Sequence, residues 1–194
     1  MARAWLWRAV LLALFLCACS PASADSPRGQ PARLPAVNAP ATGAAPAPPV
    51  TPAPAADRPT IKWLLYDAAV RHRINAGLVM AVAWWESGWN QRAVSPVGAI
   101  GVMQVNPATA ATAGPLLLGR HADPRQLADN IDLGAAILKE DLDRYGNNLI
   151  KALVAYNSGP GAVKEWPQLD AGHQGYVLGI YKLAVQFDEG TGPA

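Results

Sequence analysis

The residues best suited to chemistry lie between Trp84 and Ala110, where Glu86 follows an unbroken apolar run from Val79 to Trp85. That run is too short to cross a membrane and predicts a buried helix whose last turn carries Glu86. A carboxyl beside Trp84, Trp85 and Trp89, with Met103 further along, is expected to be desolvated, which penalises its charged form and raises its pKa. A carboxyl in that state can serve as a general acid. The loop that follows sets Gly88, Pro96, Gly98 and Gly101 among Asn90, Ser95 and Gln104, so it can fold close under a ligand and aim polar side chains at it. Glu86 is the only carboxyl in this stretch, and Glu140, Glu165 and Glu189 read as solvated charges.

Taken singly, Ser95 is a turn residue before Pro96, Gln104 a loop-fixing amide, and the pair Tyr156 and Asn157 a helix terminus. Together they form three blocks in order. Glu86-Ser87 with Asn90 leads into Ser95-Pro96-Val97-Gly98-Ala99 and Gly101-Val102-Met103-Gln104; Asn130-Ile131 follows with Gly134 and Leu138; Ala155-Tyr156-Asn157-Ser158-Gly159-Pro160-Gly161 comes last. The combination closely resembles the catalytic domain of the soluble lytic transglycosylases, glycoside hydrolase family 23, over residues 61–185.

That resemblance implies an all-α, lysozyme-like fold shared with goose-type lysozyme, and peptidoglycan glycan strands as substrate. It implies cleavage of the β-1,4 bond between N-acetylmuramic acid and N-acetylglucosamine, with the muramic 6-hydroxyl as internal nucleophile and a 1,6-anhydro product. One carboxyl then suffices, Glu86 acting first as acid and then as base. By the same resemblance, Ser95 and Gln104 hydrogen-bond near Glu86 or the sugar's N-acetyl group, Tyr156 points its hydroxyl towards the carboxyl, and Asn157 joins the substrate site. Two alternatives share the scaffold: a lysozyme-like hydrolase that uses water, and a non-catalytic glycan-binding module. The lack of a second obvious carboxylate weighs against the first, and the intact set of Glu86, Ser95 and Gln104 against the second. The sequence departs from the family at two places. Many members carry Glu-Thr ahead of a Tyr-Val pair, whereas Gly172 and His173 precede Tyr176-Val177, which bears on peptide-side contacts; and Asn106 stands where methionine is common, giving a more polar cleft wall.

The elements that must position these residues read as helices throughout. Thr60 is expected to cap a first helix bearing Leu64, Leu65, Ala68 and Ala69, with Asn75-Ala76-Gly77 as its stop. Pro107 suits a helix's first position, and another short helix is expected at Asp123-Pro124. Apolar residues recur at helical spacing from Asn130 to Tyr145, Leu149 to Tyr156 is largely apolar, Pro160 to Trp166 can form a short turn, and Tyr176 to Val185 marks a last amphipathic helix. Seven or eight helices are expected, with Trp63 and Trp166 as core or rim packing. His72 lacks a ligand-spaced partner and reads as a satisfied or solvated side chain; no metal or cofactor motif is present.

The catalytic domain is expected over residues 60–190. Ahead of it, Arg3 and Arg8 precede an apolar run from Ala9 to Leu16, the pattern of an export leader over residues 1–24. Two cleavage sites compete, a lipobox at Leu16-Cys17-Ala18-Cys19 that makes Cys19 the lipidated residue, and ordinary cleavage before Asp25. The lipobox is favoured, which predicts a periplasmic lipoprotein on the outer membrane, touching the membrane only through that anchor. Residues 25–59 hold ten prolines and ten alanines and almost no bulky apolar side chain, the composition of a disordered tether. Both cysteines, Cys17 and Cys19, fall in the leader, so the domain must be held by packing. Residues 60–194 carry eleven Lys plus Arg against twelve Asp plus Glu. A near-neutral domain without a basic stripe argues against nucleic acid as partner. The chain is expected to act as a monomer, and wall-remodelling or secretion machinery is a candidate partner.

Overall fold

A computed structural model describes residues 56–193. The leader with Cys19 and the Pro/Ala-rich stretch up to residue 55 lie outside the described residues.

Asp57 opens the fold. Its carboxyl accepts the Thr60 amide N–H at 2.9 Å, satisfying one of the donors that a helix start leaves unpaired, so α1 (Arg58–His72) begins two residues before the expected cap at Thr60. The helix ends at Arg73, which is left-handed, and Asn75 then caps the next helix by accepting from the Leu78 amide at 2.7 Å. Asn75-Ala76-Gly77 therefore starts α2 (Ala76–Ser87) instead of stopping α1.

From Gly77 to Ala83 every residue of α2 is buried, as an unbroken apolar run requires: the helix has no wet face and must be enclosed. Helix α6 (Ala171–Asp188) packs along it and α1 against it. Gly88 terminates α2 in the left-handed conformation that glycine adopts without strain, leaving Glu86 and Ser87 in the final turn.

Helix α3 (Pro107–Ala113) has Asn106 as its cap and Pro107 at its first position, and one π turn, Gly114–Leu118, extends it. The helix expected at Asp123-Pro124 is a turn instead. The Asp123 amide is taken by the Asp129 carboxylate, and the Pro124 carbonyl accepts from Gln91 and Asn130, so this segment's polar groups are committed elsewhere. Helix α4 (Leu127–Arg144) starts three residues before Asn130 and packs on α1 and on α5 (Leu149–Ser158). With single 3₁₀ turns at Pro160–Ala162 and Trp166–Gln168, six α-helices and the π turn make up an all-α fold, without a strand among the described residues. No described helix is long and apolar enough to cross a membrane.

Leu65, Val79, Leu138, Leu153 and Ile180, one from each helix except α3, are fully buried together. Each such side chain contributes about 1.5–3 kcal/mol by leaving water. Trp63 is exposed on α1, whereas Trp166 packs against the core's edge. His72 is satisfied: its Nε2 lies 2.8 Å from Asp132, which also pairs with Arg71 and with Arg120, tying α1 to α4 and to the segment before it. Burial would raise the Asp132 carboxyl, but its hydrogen bonds with His72, Arg71 and Arg120 and the charge of Arg71 hold it well below the usual range.

Candidate active site

The loop from Gly88 to Asn106 is built by side chains that turn inward. Ser87 Oγ donates to the Val102 carbonyl at 2.9 Å and accepts from the Asn90 amide. Gln91 Oε1 accepts from Val102 N, and its amide donates to the carbonyls of Pro124 and Arg125. From α4, the fully buried Asn130 accepts the Met103 amide at 2.8 Å and donates to the carbonyls of Ile100 and Pro124. Ser87 and Asn130 of the sequence blocks are thus scaffold: they satisfy backbone groups that an irregular loop would otherwise strand, while the exposed Asn90 accepts from the Arg92 amide. Gly134 lets this loop lie directly on α4, since a Cβ there would fall 2.4 Å from Met103 Cβ.

Glu86 stands half-buried at the end of α2. The Tyr176 hydroxyl donates to its Oε1 at 2.7 Å. Burial pushes the Glu86 carboxyl up from its ordinary value, and the Tyr176 bond, which favours the ionised form, pulls back. The three tryptophans expected around it have ring contacts of their own. Successive helix residues point about 100° apart, so Trp84, Trp85 and Glu86 face three directions. Trp84 lies under the Arg58 guanidinium, while Trp89 stacks on Phe187 and gives its indole N–H to the Met80 carbonyl. Trp85 meets Tyr176, the partner of Glu86, edge-on.

Of the other expected site residues, Tyr156 lies near Glu86 but its hydroxyl donates to the Met103 carbonyl at 2.8 Å, and not to the carboxyl. Its ionisation is pushed far up, by burial first and then by the charges of Glu86 and Asp141. Ser95 closes its own turn: its Oγ accepts from the Ala99 amide, and its carbonyl from Gly98. Gln104 holds φ at 49° and donates its amide to the Gly101 carbonyl at 3.0 Å. Neither hydrogen-bonds Glu86. Asn157 is exposed and accepts from Ser158 Oγ.

Gln104, Tyr156 and Asn157 nevertheless share one space, a cavity of about 400 Å³ whose wall also includes Ala99, Asn106 and Asp141. That volume suits a small ligand. Glu86 is not in its wall; Tyr156 links the two. A second cavity of about 420 Å³ lies between α5 and α6, lined by Leu149, Ile150, Trp166, Val177, Leu178 and Tyr181, and offers no carboxyl for proton transfer.

The family model described as Transglycosylase SLT domain matches residues 64–177, more than half of the chain. The chain belongs to the SLT transglycosylase family. Over 97 residues it is 42% identical to the soluble lytic murein transglycosylase of Escherichia coli K12, a match that covers 48% of this chain and 15% of that protein. It is 36% identical over 112 residues to the membrane-bound lytic murein transglycosylase C of Histophilus somni, covering 52% of this chain and 31% of the relative. Among solved structures, it is similar to an inactive glutamate-to-glutamine mutant of the lytic transglycosylase Slt from Pseudomonas aeruginosa. That similarity has a TM-score of 0.60 and 26% identity, over 68% of this chain and 25% of that one. The chain thus spans a small part of the lengths of these relatives.

Three residues of this SLT domain escaped the sequence reading. Tyr176 entered it as a mark of the last helix, though the Tyr176-Val177 pair was in view. Gln91 had no signal at all, standing between Asn90 and Arg92 in a polar stretch. Asp141 interrupts the apolar face of α4 between Leu138 and Leu142, and a charged residue at a buried helical phase was the sign that could have found it.

Proposed function

We propose that this SLT domain is a peptidoglycan lytic transglycosylase in which Glu86 is the single acid–base group. The observation that carries the reading is Glu86 itself: a half-buried carboxyl at a helix end, raised by burial and held by Tyr176 at 2.7 Å. Protonated, Glu86 gives its proton to the oxygen between N-acetylmuramic acid and N-acetylglucosamine as the bond to the anomeric carbon breaks. The muramic 6-hydroxyl then attacks that carbon, and the Glu86 carboxylate takes the hydroxyl's proton. One C–O bond breaks and one forms, no water is consumed, and Glu86 ends as it began. The internal hydroxyl prevails over water through its high effective concentration. Gln104, Tyr156 and Asn157 supply polar contacts to the sugar from the adjoining cavity. Ser95 acts one step back, by fixing the turn that shapes the cavity's edge.

The names of the relatives and the inactive glutamate mutant among the similar structures support this reading. The test is Glu86→Gln in a protein verified as folded, with products of purified peptidoglycan read by mass spectrometry. Wild-type digests are expected to carry 1,6-anhydro-muramic ends, and the variant to lose about 10²–10⁴-fold or more in turnover. New reducing ends would point to hydrolysis instead, and near-native turnover by Glu86→Gln would sink the assignment.

We also propose that the chain is exported to the periplasm and held at the outer membrane by a lipid on Cys19, with residues 25–56 as the tether ahead of the Asp57 cap. Labelling with a radioactive fatty acid tests this, and a mature protein beginning at Asp25 refutes it.

A further inference from the structure

Three polar or charged residues are buried among the described residues: Asn130, Asp132 and Asp141. Two are fully occupied, Asn130 by three hydrogen bonds into the loop and Asp132 by His72, Arg71 and Arg120. Asp141 differs. It is 8% exposed, and no hydrogen bond from a described residue reaches its carboxyl. Yet among the described residues no side-chain oxygen or nitrogen fully sealed from solvent lacks a partner, so the Asp141 oxygens open onto space. The space they help to line is the cavity shared with Gln104, Asn106, Tyr156 and Asn157. An enclosed carboxyl without a partner is costly to the fold. One aimed into a cavity is an acceptor that a ligand's donors would satisfy.

We propose that Asp141 is a substrate-binding residue of this cleft, its carboxylate accepting hydrogen bonds from hydroxyl or amide N–H groups of an amino-sugar residue seated between α4, α5 and the loop before α3. The proposal rests on the glycan-cleaving reading above and adds a contact to it. Amino sugars fit because their ring hydroxyls and acetamide N–H are donors, and the neighbouring Gln104, Asn106 and Thr109 offer further uncharged polar groups. The groups that act on Asp141 are few. Arg144 on its own helix favours the carboxylate and Glu140 opposes it, while burial, the largest influence, pushes its pKa to about 6. From α5 the facing group is the Tyr156 hydroxyl, which stays neutral. Binding through the carboxylate therefore tightens as pH rises from 5 to 7.

The test uses the full chain with Asp141→Leu and Asp141→Asn, the N-acetylglucosamine hexamer as calorimetric probe, and purified peptidoglycan for kinetics. Asp141→Leu is expected to melt at or above the parent's temperature, because an unpartnered buried carboxyl has gone. It is also expected to weaken Kd and raise KM by about tenfold or more, with kcat within about threefold. Asp141→Asn is expected to bind with an affinity that no longer changes between pH 5 and 7. A Kd and KM within twofold of the parent for Asp141→Leu would overturn the proposal. So would a fall in melting temperature with unchanged binding, the mark of a structural role, or a lost kcat at unchanged KM. A parent that binds the hexamer in this pH-dependent way without cleaving peptidoglycan sinks the enzymatic reading and supports the contact; an active parent with an indifferent Asp141→Leu does the reverse.

Discussion

Tyr176→Phe isolates the hydrogen bond that tunes Glu86. The substitution removes one hydroxyl and its 2.7 Å bond to Oε1, and keeps the ring whose edge meets Trp85 at 6.1 Å between centroids. Burial raises the Glu86 pKa, and this bond is the opposing influence, since a donor to a carboxylate stabilises its charged form. A hydrogen bond to a charged group is worth about 1.5–3 kcal/mol, and one pKa unit about 1.4 kcal/mol, so a half-buried Glu86 that loses the bond should rise by about one unit. The sign follows. A carboxyl acting first as an acid works while protonated, so activity is lost as pH rises through its pKa, and the variant's alkaline limb of kcat/KM should move up by about one unit. The assay is the initial rate of clearing of purified peptidoglycan between pH 4 and 9, on protein whose fold is checked by circular dichroism. An alkaline limb that stays in place, or moves down, would refute either the acid role of Glu86 or the part given to Tyr176.

Gly134→Ala gains about 1 kcal/mol of helix propensity, but sets a methyl 2.4 Å from Met103 Cβ and 2.7 Å from its Cγ, so overpacking should win by about 1–2 kcal/mol in urea unfolding. Turnover should fall with it, because the Met103 carbonyl anchors Tyr156. Asp132→Asn should cost about 1–2 kcal/mol at pH 7, since Arg71 and Arg120 are half-exposed and keep Asp67 and Asp129 as partners. The Asp132 pKa is depressed in the fold, so its contribution is present above the unfolded carboxyl's pKa of about 4 and is lost below it. The gap in melting temperature between variant and parent should therefore close as pH falls from 5 towards 2.

The sequence by itself settled what is local. The apolar run from Val79 required an enclosed helix, which holds as far as Ala83 while Trp85 is exposed, and Glu86 follows that run directly; Pro107 after Asn106 fixed the start of α3, and the spacing of the three blocks carried the family. These signals act within about a turn of helix, where side-chain period and capping decide the outcome. Even there, equivalent caps competed: Asp57 took the role expected of Thr60, and Asn75 began a helix where it was expected to end one. What only the tertiary structure decided is who faces whom. Tyr176, 90 residues from Glu86, meets its carboxyl because α6 packs along α2, while Tyr156 turns its hydroxyl to the Met103 carbonyl instead. Trp84 and Trp85 face apart because each helical step rotates by about 100°, whereas Trp89, beyond the end of α2, turns back to meet Trp84 edge-on at 5.5 Å between centroids. Asp141 joins the cleft through the phase of α4 against α5, and helix phase is set by packing that no short stretch of sequence contains.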